Sequence, residues 1–304
     1  MIPAATTGLR LSVVVAAWNG AVPLGQCLAS LEKQIVDSSD TEIIVVSNDG
    51  GKARQMIDEQ YSFVKYIPLA KDKTVPQLRA QGIYRASGEI VALLEDHCTF
   101  DENWCAEIKR AHELPYSVVG GSVENASSER LLDWAVYFYD YGRYMLPNKA
   151  GVVTALSGAN VSYKRSVLVE IADDFRKGFF EAFIHAELQR RGHELYMMPS
   201  AIMYHNKNYV LKDALIDCYH LARSFAGKRI FNASLSRRAA FVLASLSLPI
   251  LLPARIAAGI LRKRRRVKEL IMSFPHLTLL IMSWSWGEFC GYLRGEGASA
   301  EKWK

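Results

Sequence analysis

Three runs in the first hundred residues are apolar at nearly every consecutive position and rich in β-branched side chains: LSVVVAAW (11–18), EIIVVSN (42–48) and EIVALLE (89–95). A strand with one wet face alternates polar and apolar residues. A run that does not alternate predicts a strand covered on both faces. Helical signals fall between and after these runs. PLGQCLASLEKQ (23–34) opens on a proline and spaces Leu24, Leu28 and Leu31 along one side. VPQLRAQGIYRASG (75–88) stops at Gly88, and NWCAEIKRAHE (103–113) precedes another apolar run, SVVGGSV (117–123). This alternation predicts an α/β fold with a mostly parallel sheet flanked by helices. Ligands of such sheets sit beyond the carboxyl ends of the strands. That rule places Trp18–Asn19, Ser47–Asp49 and Glu95–His97 on one rim.

The middle of the chain is less regular. LSGANVSYKRSVL (156–168) reads as a loop, a short strand and a helix start. GFFEAFIHAELQRRGHEL (178–195) reads as an amphipathic helix with Phe180, Phe183, Ile184 and Leu188 on one face. LYMMPSAIMYH (195–205) reads as a strand pair or extended segment ending at His205, and a long helix over about 209–226 follows. The spacing predicts two regions, a catalytic or binding body over 1–208 and a helical region over 209–304.

Charge separates these regions further. Residues 223–268 contain twelve Lys or Arg and no Asp or Glu, while the rest of the chain carries 25 basic against 31 acidic residues. Within the basic stretch and beyond it lie two apolar segments, 239–261 and 274–293, separated by RKRRRVK (262–268). Each has enough residues to span a bilayer, which takes about 20. If both spanned, the densest cationic cluster would lie on the side opposite the body, against the positive-inside rule for a cytosolic body. The expectation is therefore a membrane-associating region, 223–293, lying on an anionic membrane surface, with true spans still open. Basic charge interleaved with long apolar runs suits lipid better than nucleic acid. The start MIPAATTGLRLSVVVAAWNG lacks the basic opening of a signal peptide, so the expected location is the cytoplasmic face of a membrane, peripheral or monotopic. The five cysteines are scattered, which argues against a disulfide framework or a zinc site.

The chemistry concentrates at Glu95-Asp96-His97. Two carboxylates and an imidazole at a strand's carboxyl end can hold a divalent cation such as Mn²⁺ or Mg²⁺, which can in turn neutralise a diphosphate. The alternative is a solvated strand end. LSVVVAAWNG, EIIVVSNDG, LRAQGIYRASGEIVALLEDH and GFFEAFIHAELQRRGHEL, in this order and spacing over about residues 9–205, resemble the family 2 glycosyltransferases of the nucleotide-sugar-binding GT-A type. The triplet and the end of the chain, GEFCGYLRGEG (287–297), resemble an EDH-type, membrane-associated subgroup of that family.

The resemblance implies a Rossmann-like GT-A body that binds a nucleotide-diphosphate sugar. A nucleoside would lie against Ala17, Trp18 and Asn19 and against the turn containing Ser47 and Asp49. Arg79 stands where the family has the arginine of an Arg-Asn pair, followed here by Ala80. The metal motif falls on Glu95, Asp96 and His97, with Asp96 the leading metal residue, His97 and His205 beside it, and Glu95 and Asp96 facing the donor. An imidazole ligates metal only when neutral. Ser157 and Gly158 of the SGAN loop stand where the family contacts donor or acceptor. Glu181 stands where the family places its catalytic base, followed by Ala182 where the family often has Asp; alternatively it is a helix-start carboxylate favoured by the dipole. His185, one turn later, is expected either to tune Glu181 or to hydrogen-bond to it. The implied reaction is inverting transfer to a hydroxyl acceptor, lipid-linked or on a surface polysaccharide. The rival expectation is a non-catalytic sugar-nucleotide or membrane scaffold that kept the fold, motivated by Ser47, Ala182 and His97.

Overall fold

A computed structural model describes residues 2–35 and 39–302. The chain folds into two compact units, one from residues 1–124 and 144–206, the other from 125–143 and 207–304. The first unit is built on a nine-stranded sheet. The expected core strands are β1 (Leu11–Ala17), β2 (Thr41–Ser47) and β4 (Ile90–Glu95), with β3 (Val64–Pro68) on the edge. β1 pairs in parallel with β2 and β4, and β2 with β3. Every residue of β1 is buried, as its lack of alternation requires. α1 (Ala21–Ile35), α2 (Arg54–Gln60) and α3 (Val75–Arg85) connect these strands.

Past β4 the sheet changes character. β5 (Cys98–Phe100), β6 (Val118–Asn125), β7 (Gly151–Val153), β8 (Asn160–Lys164) and β9 (Leu195–His205) extend it in the spatial order β3-β2-β1-β4-β8-β6-β9-β5, with β7 on β9. The β4–β8, β6–β8, β5–β9 and β7–β9 ladders are antiparallel. The sheet is thus mixed, half parallel and half antiparallel, where the sequence pattern predicts a mostly parallel one. The change falls at β4, whose two neighbours run in opposite senses, β1 parallel to it and β8 antiparallel. Segment 195–205 is one continuous strand. The amphipathic segment forms α7 (Glu181–Arg190), shorter than expected, with Ile184, His185 and Leu188 buried and Phe180 and Phe183 only partly covered. The remaining helices of this unit are α4 (Trp104–Ala111) and α6 (Arg165–Glu170). Asn160 ties the antiparallel half together. Its amide donates to Ser122 O and Ala201 O and its carbonyl accepts from Trp104 Nε1, all at 2.9 Å. A buried amide so fully satisfied specifies the register of three strands.

The second unit is helical: α5 (Leu131–Asp140), α8 (Leu211–Arg229), α9 (Leu235–Ser245), α10 (Leu248–Lys263) and α11 (Val267–Arg294). Sequence reading groups 125–143 with the body, but α5 packs on α11, where Tyr139 meets Trp284 edge to face. α8 and α11 approach closely. A Cβ on Gly287 would lie 2.4 Å from Tyr219 O, and one on Gly291 2.6 Å from Arg223 O, so only glycine admits this spacing. Ser283 Oγ donates to Leu215 O across the same contact at 2.7 Å. Glu288, buried in α11, accepts from Trp284 Nε1 and Tyr292 Oη, each at 2.7 Å. The five cysteines carry no disulfide, and four of them are buried.

Candidate functional site

The expected rim forms where the parallel ladders end. Ala17 lies opposite Ser47 and Ala16 opposite Glu95, so the ends of β1, β2 and β4 are level. One residue past β4, Asp96 turns inward and is fully buried. Its Oδ2 accepts the peptide N–H groups of Trp18 and Asn19, and its Oδ1 accepts Asn19 Nδ2, all at 2.7 Å. Peptide groups leaving a buried strand must find acceptors, and this carboxylate provides them. Both oxygens of Asp96, the expected leading metal residue, hold the turn after β1. The ligand atoms that lie together belong to its neighbours.

Those neighbours form a tight polar cluster. His97 Nε2 lies 3.4 Å from Glu95 Oε2 and 3.0 Å from His205 Nε2, and His97 Nδ1 lies 3.1 Å from Asn19 Nδ2. His205 arrives through the sheet, because the β5–β9 ladder sets it opposite Cys98. Ligand atoms of Glu95, His97 and Cys98 all lie within 4.8 Å of one another. Sequence reading did not single out Cys98. Its signal was only adjacency to His97, since alternate residues of an ordinary strand point away. A carboxylate oxygen with imidazole nitrogen suits a borderline divalent cation such as Mn²⁺ better than Mg²⁺, which prefers an all-oxygen shell. Glu95 and His97 fit that ion, with Cys98 completing the group of ligand atoms and His205 in contact with His97. The half-buried Trp18 stands edge-on to His97, ring centroids 5.7 Å apart.

Arg79 connects this cluster to the start of α7. It rises from α3, is buried, and donates through one guanidinium nitrogen to Glu95 Oε1 and through the other to Glu181 Oε2, both at 2.8 Å. Glu181 is the first residue of α7 and remains partly exposed. The SGAN loop closes over it. A Cβ on Gly158 would sit 2.5 Å from the Glu181 carboxyl carbon, so glycine lets the backbone approach that carboxylate. Ser157 is buried, and its hydroxyl accepts Ala159 N–H at 3.3 Å within the loop. His185 does not bond to Glu181. It shares a 2.7 Å hydrogen bond with Tyr163 Oη. Burial pushes its imidazole down to about 4; the Glu181 carboxylate opposes that shift and the Arg79 cation adds to it. His185 is a neutral wall of the site.

The nucleoside turn also has internal work. Asp49 accepts Gly51 N–H at 2.8 Å, Ala53 N–H at 2.7 Å and Tyr66 Oη at 3.3 Å, while Ser47 Oγ accepts Asp49 N–H at 3.2 Å. Asp49 thus shapes the entry to α2.

Comparison with known proteins agrees with this architecture. The model of the family described as glycosyl transferase family 2 matches residues 12–172. The glycosyltransferase AglE of Haloferax volcanii is 27% identical over 119 residues, a stretch that covers 38% of this chain and 39% of that protein. This chain therefore matches well under half the length of that curated relative. Among solved structures, the mannosyltransferase PcManGT of Pyrobaculum calidifontis, in complex with GDP-Man and Mn²⁺, superposes with a TM-score of 0.55 at 15% identity, over 95% of this chain and 86% of that one. S. aureus TarS 1–349, in complex with UDP-GlcNAc, superposes with a TM-score of 0.53 at 15% identity, over 94% and 92% of the two chains. At such identities the likeness is one of fold. With more than half of its residues inside the family match, the chain belongs to glycosyl transferase family 2.

Proposed function

We propose that the protein transfers a sugar, with inversion, from a nucleotide-diphosphate donor to an acceptor hydroxyl. The observation that carries this reading is the bridge from Glu95 through Arg79 to Glu181, which holds a polar cluster at the strand ends and one partly exposed carboxylate on the same guanidinium. The nucleoside lies against Ala17, Trp18 and Asn19 and the Ser47–Asp49 turn. Glu181 accepts the acceptor's hydroxyl proton, and the oxygen attacks the anomeric carbon from the face opposite the nucleotide. The bond from that carbon to the phosphate oxygen breaks, and the nucleoside diphosphate departs with the electron pair. Glu95 and His97, with His205, would hold a divalent cation, Mn²⁺ or Mg²⁺, which when bound neutralises charge on the diphosphate. Arg79 orients Glu95 and Glu181. One carboxylate at the acceptor side suffices, because inversion needs no covalent nucleophile on the protein. The acid-free, apolar stretch 223–268 supports an acceptor carried on a lipid or a surface polysaccharide, and a place at the cytoplasmic face of a membrane.

Thermal-shift titration with UDP, GDP and dTDP, with and without Mn²⁺, tests the donor site. Stabilisation by one nucleotide that deepens with metal is the expected result. Glu181→Gln should retain that stabilisation and lose turnover by about 10²-fold or more, the contribution of a positioned general base. Unchanged turnover in this variant removes Glu181 from the mechanism. Nucleotide binding without turnover in the wild-type chain selects the non-catalytic scaffold instead.

A further inference from the structure

α10 is apolar on its outer side. Of its sixteen residues only Ile260 is buried. Ile250 is 75% exposed and Leu251 57%, and Leu246, Leu261 and the outward Ala254 and Ala258 extend the same face. A helix of a water-soluble unit turns such residues inward. α9 adds exposed Leu235 and Leu243, and α11 carries exposed Ile271, Leu279, Met282 and Trp286 at helical spacing. This is an apolar face that no element of the unit covers, among the described residues.

The charge around this face identifies its occupant. Exposed Arg255, Arg262, Arg264 and Lys268 lie on α10 and at its junction with α11, and residues 223–268 hold no carboxylate. A second copy of the chain would bring these cations against their own counterparts, with no acid to offset them. An anionic phospholipid surface satisfies both features, with acyl chains under the leucines and headgroup phosphates beside the arginines. The helices also fit lying in a surface better than crossing it. No single described helix is long and apolar enough to cross a membrane; only α9 and α10 together pass that test, and they are bent by 63° at their junction. α10 alone has a length of roughly 24 Å, short of a hydrocarbon core of about 30 Å.

The α10–α11 junction adds a second observation. Arg264 and Arg266 both adopt left-handed backbone conformations, φ 53° and 59°, which glycine would take with less strain. Arg266 is occupied locally, paired with Glu269 at 3.1 Å and stacked over Trp134 at 5.2 Å. Arg264 is exposed at the apex of the turn. Arginine at this strained apex is explained by what its side chain does beyond the fold.

We infer that α9, α10 and the exposed apolar residues of α11 form a peripheral docking surface for anionic phospholipid bilayers, lying at the interface and not spanning it. The inference stands on the second unit alone, so vesicle binding and sugar transfer can fail independently.

The test is flotation of the full-length protein with phosphatidylcholine vesicles and with vesicles containing phosphatidylglycerol, at low and at 0.5 M salt. Binding should require the anionic lipid and weaken with salt. Arg262→Gln with Arg264→Gln should weaken it roughly 30-fold. Ile250→Ser with Leu251→Ser should release the protein even from anionic vesicles, while circular dichroism and nucleotide-induced thermal shift stay unchanged. Extraction by alkaline carbonate marks the bound form as peripheral; resistance to it would overturn the interfacial placement. A stable dimer in solution that fails to float would overturn the lipid assignment, as would equal binding to neutral and anionic vesicles.

Discussion

A guanidinium offers five donors in a rigid fork, and Arg79 uses that fork to hold two carboxylates that lie 86 residues apart in the sequence, Glu95 and Glu181. Removing it leaves Glu95, which is mostly buried, without its cation. Arg79→Ala should therefore cost about 3–5 kcal/mol of stability, measured by urea unfolding. Arg79→Lys restores a charge, but an ammonium cannot serve both acids with the same geometry. That variant should recover most of the stability and little of the turnover. Equal turnover in the lysine variant would show that the two-carboxylate bridge is dispensable to the reaction. Both Arg79 and Glu181 are identifiable from sequence as site residues by resemblance, but their pairing is not. Nothing local in either segment encodes a partner so distant. The inward turn of Asp96 is equally hidden, because a sequence shows a carboxylate's place but not which N–H groups need it.

Among the elements, the buried strands are the most legible. β1, β2 and β4 are runs without alternation, and hydrophobicity alone identifies them. β3 and α2 escape sequence reading for a physical reason. VKYIP is short and only partly buried, and RQMIDEQ buries a single residue, Ile57. The direction of β8 and β9 is also unreadable, since period and composition are the same in parallel and antiparallel ladders. The apolar segment 239–261 is visible in sequence, and its break between α9 and α10 at Leu246–Ser247 is marked there by Pro249, in the first turn of α10. At the next junction a stability test is direct. Arg264→Gly relieves one left-handed arginine and should raise unfolding stability by about 1 kcal/mol. Read in the same chemical denaturation series, no change or a loss would mean that the arginine side chain contributes to the folded turn.

For the whole molecule, acid should be the destabilising direction. His112 is buried, with Nε2 2.8 Å from Ser162 Oγ, and burial pushes its imidazole down to about 3, with the Lys164 cation adding to the effect. His185 is held down to about 4. The unfolded chain binds these protons near pH 6.5 and the folded chain refuses them, so their contribution is complete above that pH. It declines as the pH falls from 6.5 toward 4, by about 1.4 kcal/mol per pH unit for each histidine. His112→Gln should flatten the fall of melting temperature across this interval; an unaltered slope would mean that His112 is protonated in the folded state. The division into two units has a consequence for how the chain is made. α5 precedes β7, β8 and β9 in sequence but belongs with α8–α11. As the protein leaves the ribosome, the sheet and its histidine pair are complete once His205 has emerged. At that moment α5 still lacks the α11 it packs against, where Tyr139 meets Trp284. A newly made chain thus carries a finished sheet and an aromatic helix without its α11 partner until the last helix appears. For the same reason a polypeptide ending at residue 208 is not a clean catalytic half, since it retains α5 and loses its cover.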